Sequence, residues 1–225
     1  MDFSDKVNFR YNGQVLPPPR PASNCFLKDL RVHVVPGLNR WINWYIHEGY
    51  FLSRIQKLSL TWWPRSGDTL CSEGRMSLLD HCANTLGDMT LNIPESENIL
   101  TTGGDTPTPV IHAHNSIDML PSLPNLRRIC WWWAGEITVY GQWHVVWAIA
   151  AKQLRSVHSP CKITEVQIGV PSLVDLEKAK DHFMTIDKVL TSDKFPSLSR
   201  VKLPKRISFD NFPILKSRGL LESFM

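Results

Sequence analysis

His112 and His114 bracket a single alanine, so in an extended segment both imidazoles point to one side and can share one metal ion. Enzymes built on such a pair draw further ligands from later strands of a barrel of about 250 residues. Here the pair falls in the middle of a 225-residue chain beside a loop, and it reads as an incidental pair of surface histidines. Asp80-His81-Cys82 holds the residue types of a nucleophile with its base. Adjacent positions on a helix point in different directions, so the three cannot act as a triad by themselves. Cys82 also falls on an apolar helical stripe, which makes it a core thiol. The chain has no G-x-S-x-G elbow, no G-x-G-x-x-G turn and no G-x-x-x-x-G-K-[ST] loop. Gly103-Gly104 lacks the following lysine and reads as a flexible turn. These residues assign no catalytic group, no cofactor and no metal.

The tryptophans are the other chemically marked residues. The chain has nine, five of them in Trp62-Trp63 and Trp131-Trp132-Trp133. Strand alternation sends Trp62, Trp131 and Trp133 to one face, and Trp63 and Trp132 to the other. Exposed indoles are strong interface anchors, whereas indoles beneath a loop are packing filler. Both readings stand on the sequence. Lys202, Lys205, Arg206, Lys216 and Arg218 make the C-terminal quarter basic, as either a solvated face or a site for an acidic partner.

What positions these residues is a recurring strand motif, [L/I]-x-x-[L/I/V/M]-x-[L/I/V/W]. It occurs as Leu27/Leu30/Val32, Ile55/Leu58/Leu60, Leu86/Met89/Leu91, Leu126/Ile129/Trp131, Ile163/Val166/Ile168 and Leu198/Val201/Leu203. One such unit cannot bury its apolar face alone, and stacked units bury it for one another. Helical patterns lie between the copies. Trp41, Ile42, Tyr45, Ile46 and Gly49 form one face, and Leu78, Leu79, Cys82 and Leu86 another. The clearest helix spans 142–156, with Trp143, Val146, Trp147, Ala150 and Leu154 on its stripe and Gln142, Lys152, Gln153 and Arg155 off it. The next opens at Pro171, with Ser172 and Asp175 as a variant capping box and Leu173, Leu176, Phe183, Ile186 and Leu190 on its buried side. A short segment from Phe209 to Leu221 is expected to seal the last unit.

Two segments break the pattern. Residues 1–24 are polar and end in Leu16-Pro17-Pro18-Pro19-Arg20-Pro21, an extended Pro-rich segment in which four prolines forbid helix. Residues 94–109 are rich in turn formers, including Gly103, Gly104, Pro107 and Pro109, and read as an irregular loop, with one extra short strand expected at Val110–Ala113. The expected organisation is therefore 1–24 extended, then 25–225 as one α/β solenoid. Its parallel sheet is curved, with the helices on the convex face.

Composition narrows the function classes. Hydrophobic residues make up 43% and charged residues 20%, enough apolar content for a sizeable core. A net charge of +4 is low for a dedicated nucleic-acid binder. The five cysteines, Cys25, Cys71, Cys82, Cys130 and Cys161, are odd in number and widely spaced, as expected of reduced thiols inside a cell. The start has no apolar signal region, and no run reaches the ~18 apolar residues of a membrane span. An intracellular protein, cytoplasmic or nuclear and without membrane contact, is the expectation.

Leu123-Pro124-Asn125-Leu126-Arg127-Arg128-Ile129 and Phe195-Pro196-Ser197-Leu198-Ser199-Arg200-Val201-Lys202-Leu203 resemble the diverged leucine-rich-repeat regions of fungal F-box-type proteins. Phe212-Pro213-Ile214-Leu215-Lys216-Ser217-Arg218-Gly219-Leu220-Leu221 adds to the likeness, which covers about residues 25–221. The resemblance implies a leucine-rich-repeat-like solenoid whose repeats hold a target, while an F-box binds a ubiquitin-ligase scaffold. No F-box-like helical segment is expected ahead of residue 25, so a scaffold partner requires an F-box supplied from elsewhere. The expected function is a protein–protein interaction module. Its partner would contact the concave-face residues Arg31, His33, Thr61, Trp63, Thr90, Asn92, Trp132, Gln167 and Lys202. The alternatives are a ligase adaptor without its F-box, and a small-molecule binder or enzyme using a Trp-rich concave pocket.

Overall fold

Short apolar stretches with alternating polar positions, returning at intervals too long for hairpins, form parallel strands joined by crossovers. The computed structural model describes residues 7–9, 28–33, 54–61, 78–93, 120, 123–133, 144–170 and 179–224. The strands are β1 (Val7–Phe9), β2 (Asp29–His33), β3 (Lys57–Thr61), β4 (Asp88–Ile93), β5 (Arg128–Trp133), β6 (Glu165–Gly169), β7 (Arg200–Pro204) and β8 (Leu221–Phe224). They form one eight-stranded sheet in chain order, and every neighbouring pair is parallel.

All six copies of the motif become strands, and their middle residues align in one row: Leu30, Leu58, Met89, Ile129, Val166 and Val201. Val7 and Leu221 extend that row at either end. A backbone ladder enters each strand at the same level. The amides of Gln56, Gly87, Arg127, Thr164 and Ser199 donate in turn to the carbonyls of Lys28, Gln56, Gly87, Arg127 and Thr164, at 2.7 to 2.9 Å. Hydroxyls reinforce it where the sequence offers them, as Thr164 Oγ1 donates to the Arg127 carbonyl and Ser199 Oγ to that of Thr164. Outside the strands, Asn125 links neighbouring units, donating to the Asn84 carbonyl at 2.8 Å and accepting from Lys162 at 2.8 Å.

Leu30, Leu58, Met89, Ile129, Val166 and Val201 are buried, and so are Leu60, Leu91, Trp131, Ile168 and Leu203 two residues on from the last five. Helices pack on that side. Helix α1 (His144–Ser156) lies against β5, β6 and α2 (Lys180–Leu190), and α2 in turn meets the short α3 (Pro213–Ser217). Three aromatics weld them together. The ring centroid of Trp147 is 4.7 Å from that of Phe183, edge to face, and Phe183 is 5.2 Å from Phe212. Such pairs add about 0.5–1.5 kcal/mol beyond their buried area. Residues 78–82 are helical, and Leu78, Leu79, Cys82 and Leu86 are all buried, as their spacing predicts.

The structure departs from the sequence reading in particular places. Strand β1 lies within the segment read as extended and Pro-rich, its Val-Asn-Phe being too short to show a period. The final segment holds a 3-10 turn at Phe209–Asn211 and α3, and then adds strand β8. Gln153 was placed off the stripe of α1 but is fully buried, because the Trp131 indole N–H donates to its Oε1 at 3.0 Å. The capping box at Ser172 and Asp175, the helix at 41–49, the loop at 94–109 and the strand expected at 110–113 lie outside the described residues. Among the described residues no helix is long and apolar enough to cross a membrane.

Candidate functional site

The face of the sheet opposite the buried row carries three rows of residues, each crossing the strands. The first contains Asp29, Lys57, Asp88, Arg128, Glu165 and Arg200, so charge alternates from strand to strand. Lys57 Nζ is 3.9 Å from Asp88 Oδ2, a loose pair. Glu165 is the tight centre of the row. Its carboxylate meets Arg128 Nε at 3.2 Å, Arg200 Nε at 3.0 Å and, from the second row, Lys202 Nζ at 3.0 Å. Only 10% of the Glu165 side chain is exposed, and its Oε1 makes no hydrogen bond of good geometry. The cluster is held by charge more than by directional bonds. Arg128 Nη2 also donates to Gln167 Oε1 at 3.2 Å.

The second row runs Arg31, Ser59, Thr90, Cys130, Gln167, Lys202 and Glu222. Arg31 is exposed, whereas Thr90 and Gln167 are half-buried. Cys130 takes an open-face position by strand alternation, yet it is only 6% exposed, and burial pushes its thiol up to about 11. The charges of Arg128, Glu165 and Lys202 also act on it, with opposing signs.

The third row places His33, Thr61, Asn92, Trp132 and Gly169 level with one another. Asn92 donates to Ser59 Oγ at 2.9 Å. The Trp132 indole lies across β6 at Gly169, where a Cβ would stand 2.1 Å from Cε3 and 2.3 Å from Cζ3. Glycine is required here by close approach, not by backbone conformation. Beyond it the indole meets Phe224 of β8, with centroids 6.0 Å apart and planes tilted by 41°. Trp132 is half-buried, so it forms one wall of an aromatic shelf.

Of the residues predicted for this surface, Arg31, Thr90, Asn92, Trp132, Gln167 and Lys202 all lie at open-face positions, with Lys202 drawn into the Glu165 cluster. His33 and Thr61 take the expected register positions, while Trp63 lies outside the described residues. The sequence reading missed Glu165, Arg128, Arg200, Gly169 and Phe224. The signal for the first three was present, because the residue just before each middle position alternates in sign along the chain. Phe224 carried no such signal, since its strand matches no copy of the motif.

The other chemical candidates do not converge on this face. Cys82 is fully buried, donates to the Leu79 carbonyl at 3.6 Å and has its thiol pushed up to about 12 by burial, which removes it as a nucleophile. Asp80 and His81 are exposed beside it. His112, His114 and Gly103-Gly104 lie outside the described residues. Of the C-terminal cations, Lys216 pairs with Asp210 at 2.7 Å, while Lys205, Arg206 and Arg218 are exposed off the sheet. Compared with models of known protein families, with curated proteins and with solved structures, the chain shows no match.

Proposed function

We propose that the open face of the sheet is a docking surface for a partner protein, carried by a leucine-rich-repeat-like solenoid whose sheet curves with the helices on its outside. The observation that carries this reading is the row structure of that face. Strands β2 to β7 present a charge-alternating row and a polar row, Trp132 of β5 and Phe224 of β8 form an aromatic shelf, and the other face is a continuous apolar core. Strands stacked in chain order, each bonded to the next, are the construction that a repeat solenoid uses to offer an extended surface. Trp132 supplies the partly exposed indole typical of an interface anchor. Its charged row is balanced in sign, which suits a protein partner better than a polyanion such as nucleic acid.

Face-selective substitution tests the reading. Thr90→Trp adds bulk to the open face at a half-buried strand position that tolerates aromatics, and Lys188→Trp adds the same bulk to an exposed position on α2. Proteins captured from a lysate and identified by mass spectrometry should be lost with Thr90→Trp and retained with Lys188→Trp, with both variants melting like the parent chain. Equal capture by the two variants would refute the open face as the docking site.

A further inference from the structure

On the open face of β5, β6 and β7 themselves, cations outnumber carboxylates. Arg128, Arg200 and Lys202 converge on the single carboxylate of Glu165, leaving a local excess of two positive charges. The pairing also leaves donors to spare. Both arginines approach Glu165 through Nε, and Arg128 turns its Nη2 to Gln167 Oε1 instead. Arg128 and Arg200 keep nearly half of their side-chain surface exposed, and Lys202 a quarter. Glu165 therefore acts as a buried anchor that gathers three cations and holds their free ends toward solvent. Asp88 on β4 and Glu222 on β8 bound the patch on either side, so the excess is confined to three strands, about 10 Å across. A long polyanion would run onto these carboxylates, whereas a few carboxylates on a short segment would not. The Trp132–Phe224 shelf stands four residues further along the same strands, about 13 Å away.

We infer that this patch docks an acidic peptide segment of a partner protein, with its carboxylates against Arg128, Arg200 and Lys202 and an apolar side chain on the Trp132–Phe224 shelf. The inference rests on the docking reading above and adds the chemistry of the partner. An extended strand of about four residues spans from cluster to shelf, so the segment needs acidic residues followed closely by one large apolar residue. Paired charges across such a face set register and association rate, and the apolar anchor slows release.

The probe is a fluorescein-labelled peptide of glutamates followed by a serine spacer and a leucine, titrated by anisotropy at low ionic strength against the whole chain. The glutamate peptide should bind saturably, and its glutamine counterpart should not. Arg200→Gln combined with Lys202→Gln should weaken binding about tenfold, whereas Lys205→Gln combined with Arg218→Gln should change it less than about twofold. The charge-conserving pair Arg200→Lys with Lys202→Arg should retain binding, which separates lost charge from lost folding. Absence of saturable binding, or equal weakening by the two glutamine pairs, overturns the inference. If Thr90→Trp abolishes partner capture while the probe does not bind, the docking surface stands and only its acidic ligand is removed.

Discussion

Gly169→Ala is the sharpest probe of the open face, because the added methyl group has one place to go and the Trp132 ring occupies it. The new Cβ would lie 2.1, 2.3 and 3.0 Å from Cε3, Cζ3 and Cδ2 of the indole. Carbon atoms rest at about 3.5–4.0 Å, so the ring must lift by roughly 1.5 Å. Lifting separates it from Phe224, now 6.0 Å away between centroids, and forfeits a contact worth about 0.5–1.5 kcal/mol together with part of the indole's burial. Against this, replacing glycine by alanine in an ordinary strand conformation gains about 0.4–1 kcal/mol from the unfolded chain. The net expectation is a loss of about 1–2 kcal/mol, a fall of roughly 2–8 °C in melting temperature for a chain of this size. The assay is a double-mutant cycle with Trp132→Ala, read by thermal and denaturant unfolding. Once the indole is gone, Gly169→Ala should become neutral or slightly stabilising, giving a coupling energy of about 1–3 kcal/mol. An equal cost in both backgrounds would show that the indole does not lie over Gly169, and the shelf would be lost with it.

Two further predictions concern the scaffold and its thiols. Asp187 is buried in α2 and accepts from the amides of Ile214 and Leu215 at 3.0 and 2.8 Å, so it caps the start of α3 from a different helix. Asp187→Ala should cost about 1–3 kcal/mol by stranding one buried and one part-buried donor, and should speed hydrogen exchange at those amides; unchanged protection at Ile214 and Leu215 would contradict it. Burial raises the thiols of Cys82 and Cys130 to about 12 and about 11, whereas Cys161 is only half-buried and less shielded. Since the thiolate is the reactive form, iodoacetamide at pH 8 should label Cys161 before either of the others in the folded chain, as peptide mapping would show. Labelling of Cys82 at a comparable rate would mean that its helix opens readily.

The sheet was legible in the sequence because its signal is redundant. An apolar residue at each middle position and another two residues on is enough to set strand, face and neighbour at once, and every copy from Leu30 to Val201 falls into register. The helix over 142–156 was legible for the same reason, since a 3.6-residue stripe has few alternatives. What escaped were features that depend on two residues far apart in the chain. Gln153 reads as polar and solvent-facing until Trp131 supplies a donor in the core. Asp187 reads as the solvated side of a helix until α3 presents two unpaired amides to it. Gly169 reads as the end of a strand, and only the neighbouring indole shows why nothing larger fits there. Polar residues satisfied at long range leave no periodic trace.

The alternating charge row settles a question that the apolar pattern leaves open. Because side chains repeat every two residues along a strand, sliding β6 by two residues along β5 keeps Val166 and Ile168 on the core side. Hydrophobic burial alone therefore fixes the face but tolerates slips by even steps. Such a slip would carry Glu165 about 6–7 Å from Arg128 and Arg200, stranding a nearly buried carboxylate away from its partners. Opposite charges at the same level on successive strands thus select one register among those that burial permits. Lys202 is not needed for this, since it stands one row further on and Glu165 already has a cation on each side. Lys202 stands level with Glu222 on β8, so the same rule serves the β7–β8 pair, and its approach to Glu165 is an addition that the register of β6 does not require.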